Sequence, residues 1–143
     1  MSEVRVVAWR SIERAVDKVV ELVHARRFTP STIIALGRGG LAPAAMIAHR
    51  LEVRTVHAWP IRLSDGQQVD TIHAAAPPAV PFTEPVLLVD DLIDTGATVA
   101  FARGVYSRAK VAVLFQKPSR VTADFFGFRS DGAEWLRFPW ETK

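Results

Sequence analysis

The fourteen residues VLLVDDLIDTGATV, at positions 86–99, constrain this chain more than any other part of it. Four consecutive apolar residues bounded by polar ones read as a short strand covered on both faces. Three acids, Asp90, Asp91 and Asp94, crowd the end of that strand, and Thr95, Gly96, Ala97 and Thr98 open a helix that carries Val99, Ala102, Val105 and Tyr106. In an open parallel sheet the ligand lies beyond the carboxyl ends of the strands, so polar residues directly after an apolar strand are the ones to examine. A helix N-terminus offers unpaired N–H groups and a partial positive charge. The turn from Thr95 to Thr98 therefore suits a phosphate, with Gly96 allowing close approach and the two hydroxyls adding donors. Adjacent carboxylates accept hydrogen bonds from a vicinal diol, or hold Mg²⁺ directly or through water. The combination specifies a sugar phosphate with free hydroxyls. A helix cap beside solvated acids would account for Thr95 but not for three acids at one strand end.

The rest of the chain repeats the strand-then-helix pattern. Apolar residues Ile12, Ala15, Val16, Val19, Val20 and Val23 recur at three- and four-residue steps, which predicts an amphipathic helix over 11–27 with Ser11 as its N-cap. TIIAL at 32–36 is a second buried strand, ended by GRGG. A helix follows on Leu41, Ala44, Ala45, Ala48 and Leu51, with Pro43 in its first turn. VRTVHAW at 53–59 and VAVLF at 111–115 complete the strands. This alternation implies a parallel sheet with right-handed crossovers, an α/β fold. Residues 60–85 hold five prolines and little periodicity, and read as a flexible active-site loop. After Pro118 aromatic residues dominate ADFFGFR and EWLRFPWE, so 119–143 reads as a small appended layer rather than another strand and helix of the sheet.

A single domain of 143 residues needs no disulfide or structural metal to fold, and with no Cys it has neither a disulfide framework nor a thiolate nucleophile. No apolar run approaches the roughly 20 residues of a membrane span, and the first residues lack the apolar stretch of a signal peptide. A cytoplasmic location with no membrane partner is expected. The sequence pI of about 9.8 accompanies a formal net charge of only +3. Fourteen of the 18 basic residues are Arg, scattered with no run longer than Arg26 and Arg27, so a polybasic tail is excluded while a folded basic patch is not, and nucleic acid is not an expected partner. The histidines at 24, 49, 57 and 73 show no metal-ligand spacing.

VLLVDDLIDTGATV resembles the phosphoribosyl pyrophosphate (PRPP) motif of type I phosphoribosyltransferases. The resemblance extends over nearly the whole chain and is closest to the small bacterial xanthine-guanine enzymes, through the RGG loop, the Lys-Pro pair at Lys117 and Pro118, and the C-terminal aromatic segment. It implies a type I phosphoribosyltransferase fold, a parallel sheet flanked by helices with a small C-terminal hood over 119–143. The implied reaction carries the 5-phosphoribosyl group from PRPP to a 6-oxopurine, releasing pyrophosphate, with Mg²⁺ as cofactor. PRPP would be held by Arg38, Gly39, Gly40, Asp90, Asp91, Asp94, Thr95, Gly96, Ala97 and Thr98, with Asp91 at the metal. Asp94 near the purine N7 and Arg38 at the pyrophosphate would be catalytic. Lys117 would meet the purine 6-oxo group, Trp135 would stack on the base, and Leu136 would line the same pocket. The family also implies a homodimer or homotetramer.

Two features depart from that pattern. The loop carries Ser64 but no Tyr where the family has a Ser-Tyr pair, and Arg137 stands where close relatives carry an acid. Other readings stay open. GRGGLA also fits the dinucleotide fingerprint, but the acid expected at the end of the next strand is missing, because VRTVHAW runs into Pro60. The same fold also serves a non-catalytic regulator that senses PRPP or a nucleotide and binds nucleic acid, or a transferase with a different acceptor.

Overall fold

The structure, a computed structural model, describes residues 3–64 and 71–141. Its centre is a five-stranded sheet in the order β3-β2-β6-β7-β8, parallel throughout. The strands are β2 (Thr32–Leu36), β3 (Thr55–Trp59), β6 (Val86–Ile93), β7 (Lys110–Gln116) and β8 (Phe125–Arg129). Helices α1 (Trp9–Ala25) and α2 (Leu41–Leu51) cover one face, and α3 (Ala97–Val105) covers the other.

The continuous apolar runs follow from this double cover. Side chains along a strand alternate between faces. Ile33, Ala35, Leu87 and Val89 pack with Val16, Val19 and Ile47 of α1 and α2, while Ile34, Leu36 and Leu88 pack with Val99 and Ala102 of α3. Each such Leu or Ile contributes about 1.5–3 kcal/mol by leaving water.

Four sequence expectations need correction. The first helix starts at Trp9 with Ala8, not Ser11, at the N-cap position, and no side chain caps it. Its start is set from outside: an unforeseen strand, β1 (Glu3–Val6), pairs in parallel with β9 (Glu134–Arg137), and Val7 N–H extends that ladder to the Arg137 carbonyl at 2.8 Å. Secondly, β6 does not stop at Val89. Its pairing with β2 ends there, but pairing with β7 continues to Ile93, so Asp90 and Asp91 lie inside the strand.

Thirdly, the segment read as a loop over 60–85 contains an antiparallel hairpin of β4 (Ile61–Ser64) and β5 (Thr71–Ala74). The part of the loop at 65–70 lies outside the described residues. Finally, 119–143 is not all hood. Phe125 and Phe126 pair with Ala112 and Val113, which makes β8 the edge strand of the main sheet. Gly127 permits this, because a Cβ there would come within 3.0 Å of Ala15 in α1 and of the Leu114 carbonyl. Only β1, β9 and the residues after them form the small layer. Among the described residues no helix is long and apolar enough to cross a membrane.

Candidate active site

The chain runs outward from β2 to β3 and returns on the other side of β2 as β6, so the sheet's order reverses between β2 and β6. A crevice opens at such a point beyond the strand ends. Here β6 outruns β2, and the freed edge from Asp90 onward forms its floor. The cleft has a volume of about 970 Å³, and its lining includes Arg38, Gly39, Asp90, Asp91, Thr98 and Trp135.

The two acids are stitched together, the Asp91 N–H donating to Asp90 Oδ1 at 2.8 Å. Burial, and next the neighbouring Asp91 carboxylate, raise the Asp90 pKa well above the ordinary value, and burial likewise raises that of Asp91. A cation or a hydroxyl donor in the cleft would relieve both.

The turn after β2 leans on this pair. A Cβ at Gly39 would come within 3.0 Å of all three carboxyl atoms of Asp91. Gly37, at φ +60°, donates its N–H to the Trp59 carbonyl at 2.9 Å and leaves no room for a Cβ beside the Ile61 carbonyl. The Gly40 N–H is already bonded to the Leu36 carbonyl at 3.1 Å. That leaves Arg38 and the Gly39 N–H as the donors at this turn, and Gly40 provides space, since a Cβ there would strike the Val89 carbonyl.

A second hollow of about 130 Å³ lies beside the first, lined by Asp94, Thr95, Gly96, Ala97 and Thr98 with Leu63 of β4 above them. Thr98 borders both hollows. Gly96 takes φ +90° as the N-cap of α3, and Thr95 Oγ1 accepts the Ala97 N–H at 3.3 Å. The N-terminal residues of α3 line this hollow, and the free amides of a helix N-terminus suit an anion.

Lys117 is 6% exposed, and its Nζ lies 3.8 Å from Asp94 Oδ1, while the Asp94 side chain is largely open to solvent. Trp135 is 58% exposed on the cleft wall, with Arg137 two residues on along the same face of β9. Leu136, between them, points the other way into the hydrophobic core, at 3% exposure. Its side chain therefore does not line the cleft as expected, and only its main chain remains available to a base. Trp140 stacks on Phe138 at a centroid distance of 5.1 Å and packs edge-on against Trp9, while also bordering the cleft. Sequence reasoning missed Val4, Ile61 and Glu141 in the cleft lining, because β1 and the hairpin that bring two of them there carry no periodic signal.

A parallel sheet in this order, with an acidic pair and an anion-binding turn at the end of its central strand, defines the type I phosphoribosyltransferase class. Comparison with known proteins agrees: the phosphoribosyl transferase domain family matches residues 5–143, and the chain belongs to that family. It is 34% identical to the xanthine-guanine phosphoribosyltransferase of Idiomarina loihiensis, over 94% of this chain and 85% of that one. It is 30% identical to the enzyme of the same name from Nitratidesulfovibrio vulgaris, over 99% of this chain and 79% of that one. Among solved structures, the purine phosphoribosyltransferase from Pyrococcus horikoshii superposes with a TM-score of 0.84 at 27% identity, covering 98% of this chain and 95% of the other.

Proposed function

We propose that this enzyme transfers the 5-phosphoribosyl group from PRPP to a 6-oxopurine, forming a nucleoside 5′-monophosphate and pyrophosphate in purine salvage. The observation that carries the reading is the 3.8 Å pairing of Lys117 with Asp94, which lines the hollow at the start of α3, with Trp135 exposed on the wall of the adjoining cleft. A 6-oxopurine presents its O6 acceptor and its N7 side by side on one edge, which matches an ammonium next to a carboxylate.

The 5′-phosphate sits in the small hollow on the amides of the α3 N-terminus and the Thr95 and Thr98 hydroxyls. The ribose hydroxyls face Asp90 and Asp91. Arg38 and the Gly39 amide receive the pyrophosphate and stabilise its growing charge. The purine stacks on Trp135 with O6 at Lys117. As N9 of the N7–H tautomer bonds to C1′, the bond from C1′ to pyrophosphate breaks and Asp94 takes the N7 proton. Asp94 is open to solvent and needs hydrogen-bond reach more than a special pKa.

The donor set fits Mg²⁺ with substrate oxygens completing its shell. Two adjacent carboxylates border the cleft, and among the described residues no third His, Cys, Asp or Glu joins a metal cluster. Asp91, with Asp90 beside it, would hold the ion. When bound, Mg²⁺ would supply positive charge to offset the negative charge that develops on the pyrophosphate.

The same proposal includes a homodimer or homotetramer, supported by the edge strand β3, whose Thr55, Val56 and Ala58 are exposed. The setting is the cytoplasm, where a multiply charged substrate that crosses no bilayer unaided is retained. The experiment is PRPP-dependent conversion of guanine, xanthine, hypoxanthine and adenine by the purified protein. Product with the 6-oxopurines and little with adenine is expected; no product with any base overturns the reading.

A further inference from the structure

Among the described residues only four polar or charged side chains are buried: Thr32, Gln116, Lys117 and Ser130. Two of them are consecutive. Lys117 pairs with Asp94 and has a role at the base in the reading above, but Gln116, at 2% exposure, is absent from that reaction. A fully buried amide at the end of the apolar strand VAVLF requires a reason.

Its hydrogen bonds supply one. Gln116 Nε2 donates to the Lys117 carbonyl at 2.9 Å and to the Val121 carbonyl at 3.1 Å, while Oε1 accepts the Ala123 N–H at 3.0 Å. Only this orientation of the amide satisfies two carbonyls and one N–H. The side chain thus lies inside the turn 117–123 and fastens its beginning to its end. The same turn is tied outward by Ser119, whose hydroxyl donates to the Thr95 carbonyl at 2.9 Å and accepts the Val121 N–H at 3.0 Å. Val121 also closes over Gly96, so close that a Cβ there would meet its side chain. The main chain of Lys117 is held by its neighbour's side chain on one side and by Lys117 N–H to Ile93 carbonyl, 3.0 Å, on the other.

We propose that Gln116 is a positioning residue: it clamps the main chain of Lys117 so that the ammonium is presented to the purine 6-position beside Asp94. The inference rests on the base-binding role given to Lys117 above. Without the clamp the turn relaxes, and a flexible four-carbon side chain on a loose backbone no longer distinguishes an acceptor from a donor at that position.

The test compares kcat/KM for hypoxanthine and adenine, which differ at position 6, in the parent, Lys117→Ala, Gln116→Leu, Gln116→Glu and the Gln116→Leu/Lys117→Ala double variant. Gln116→Glu, neutral as burial favours, keeps the acceptor for Ala123 and one donor in place of two, so it breaks one of the two carbonyl contacts and serves if the Leu variant does not fold. The hypoxanthine-to-adenine ratio is expected to fall at least about tenfold in the folded Gln116 variants. It is expected to fall no further in the double variant than in Lys117→Ala alone, because a clamp acting through Lys117 has nothing left to position. A merely structural role lowers the melting temperature but leaves the ratio unchanged, and that result overturns the proposal. If Lys117→Ala keeps the parent ratio, the role of Lys117 fails and the clamp with it. If the parent makes no product with any purine, the functional reading itself fails. If only the Gln116 variants keep the parent ratio, the clamp alone is wrong.

Discussion

Lys117 Nζ stands 3.8 Å from Asp94 Oδ1, and each is the first residue past the end of its strand, Asp94 after β6 and Lys117 after β7. The two strands are neighbours in the sheet, so the ladder that pairs Ile93 with Gln116 delivers both side chains to one place. The ammonium is buried and fixed, whereas the carboxylate is mostly exposed. This asymmetry suits a base-reading group next to one that approaches the substrate.

Asp94→Asn is expected to lower kcat by about 10²–10⁴-fold, the range for a lost acid or base. Because the side chain is largely exposed, the melting temperature should match the parent. Steady-state kinetics with guanine and PRPP, beside a thermal melt, check both; an unchanged kcat removes Asp94 from the mechanism.

Trp135→Ala is expected to weaken purine binding by about five- to 150-fold, corresponding to about 1–3 kcal/mol for a lost base stack. At 58% exposure the ring adds little to the fold, so melting should shift by no more than about 2 °C. Calorimetric titration with a nucleoside monophosphate measures the loss.

Asp90→Asn should trade function for stability. Burial, then the Asp91 charge, raise the Asp90 pKa in the folded protein. The folded state therefore holds that proton more tightly than the unfolded chain, so the stability this group contributes is complete in acid and is lost as pH rises through the raised value. Without ligand, the Asn variant is expected to melt above the parent at pH 7, with the gap closing as pH falls into the ordinary carboxylate range. PRPP binding should collapse in the same variant. Melting curves across pH decide it, and a parent as stable as the variant at pH 7 contradicts the claim.

Gly39→Ala is expected to reduce kcat/KM for PRPP on the order of 10²-fold, since the new Cβ must displace the Asp91 carboxylate. Gly39 sits on the cleft wall, so secondary structure by circular dichroism should not change. Parent-like kinetics would show that the carboxylate turns aside freely.

Arg137→Glu should change which base is preferred. A guanidinium offers only donors, which suits the 2-oxo group of xanthine better than the 2-amino group of guanine. Arg137 lies on the same face of β9 as Trp135 and lines the same cleft. The xanthine-to-guanine ratio of kcat/KM is expected to fall at least about tenfold in the variant; an unmoved ratio assigns Arg137 elsewhere.

Much of the site was legible because it is local. Asp90 to Thr98 follow one another in the chain, and the chemistry of a strand end running into a helix N-terminus depends only on neighbours. The same holds for the GRGG turn. The family resemblance also pointed to Lys117 and Trp135, but not to the direction in which Leu136 faces. That depended on the register of β9 with β1, Trp135 opposite Val4 and Leu136 opposite Arg5, which turns Leu136 into the core.

What the sequence determined by itself is the buried parallel sheet and the polar strand-to-helix turn after its central strand, since periodicity and helix-end chemistry act over a few residues. Tertiary structure alone decided that β8 joins the sheet, because a glycine lets α1 close on it, and that a hairpin rises within 60–85. It alone placed Lys117 beside Asp94 and set Gln116 inside the turn that holds it. Long-range pairing carries no local signature: β1 and β9 are four residues each and mostly exposed, and only their mutual hydrogen bonds make them strands.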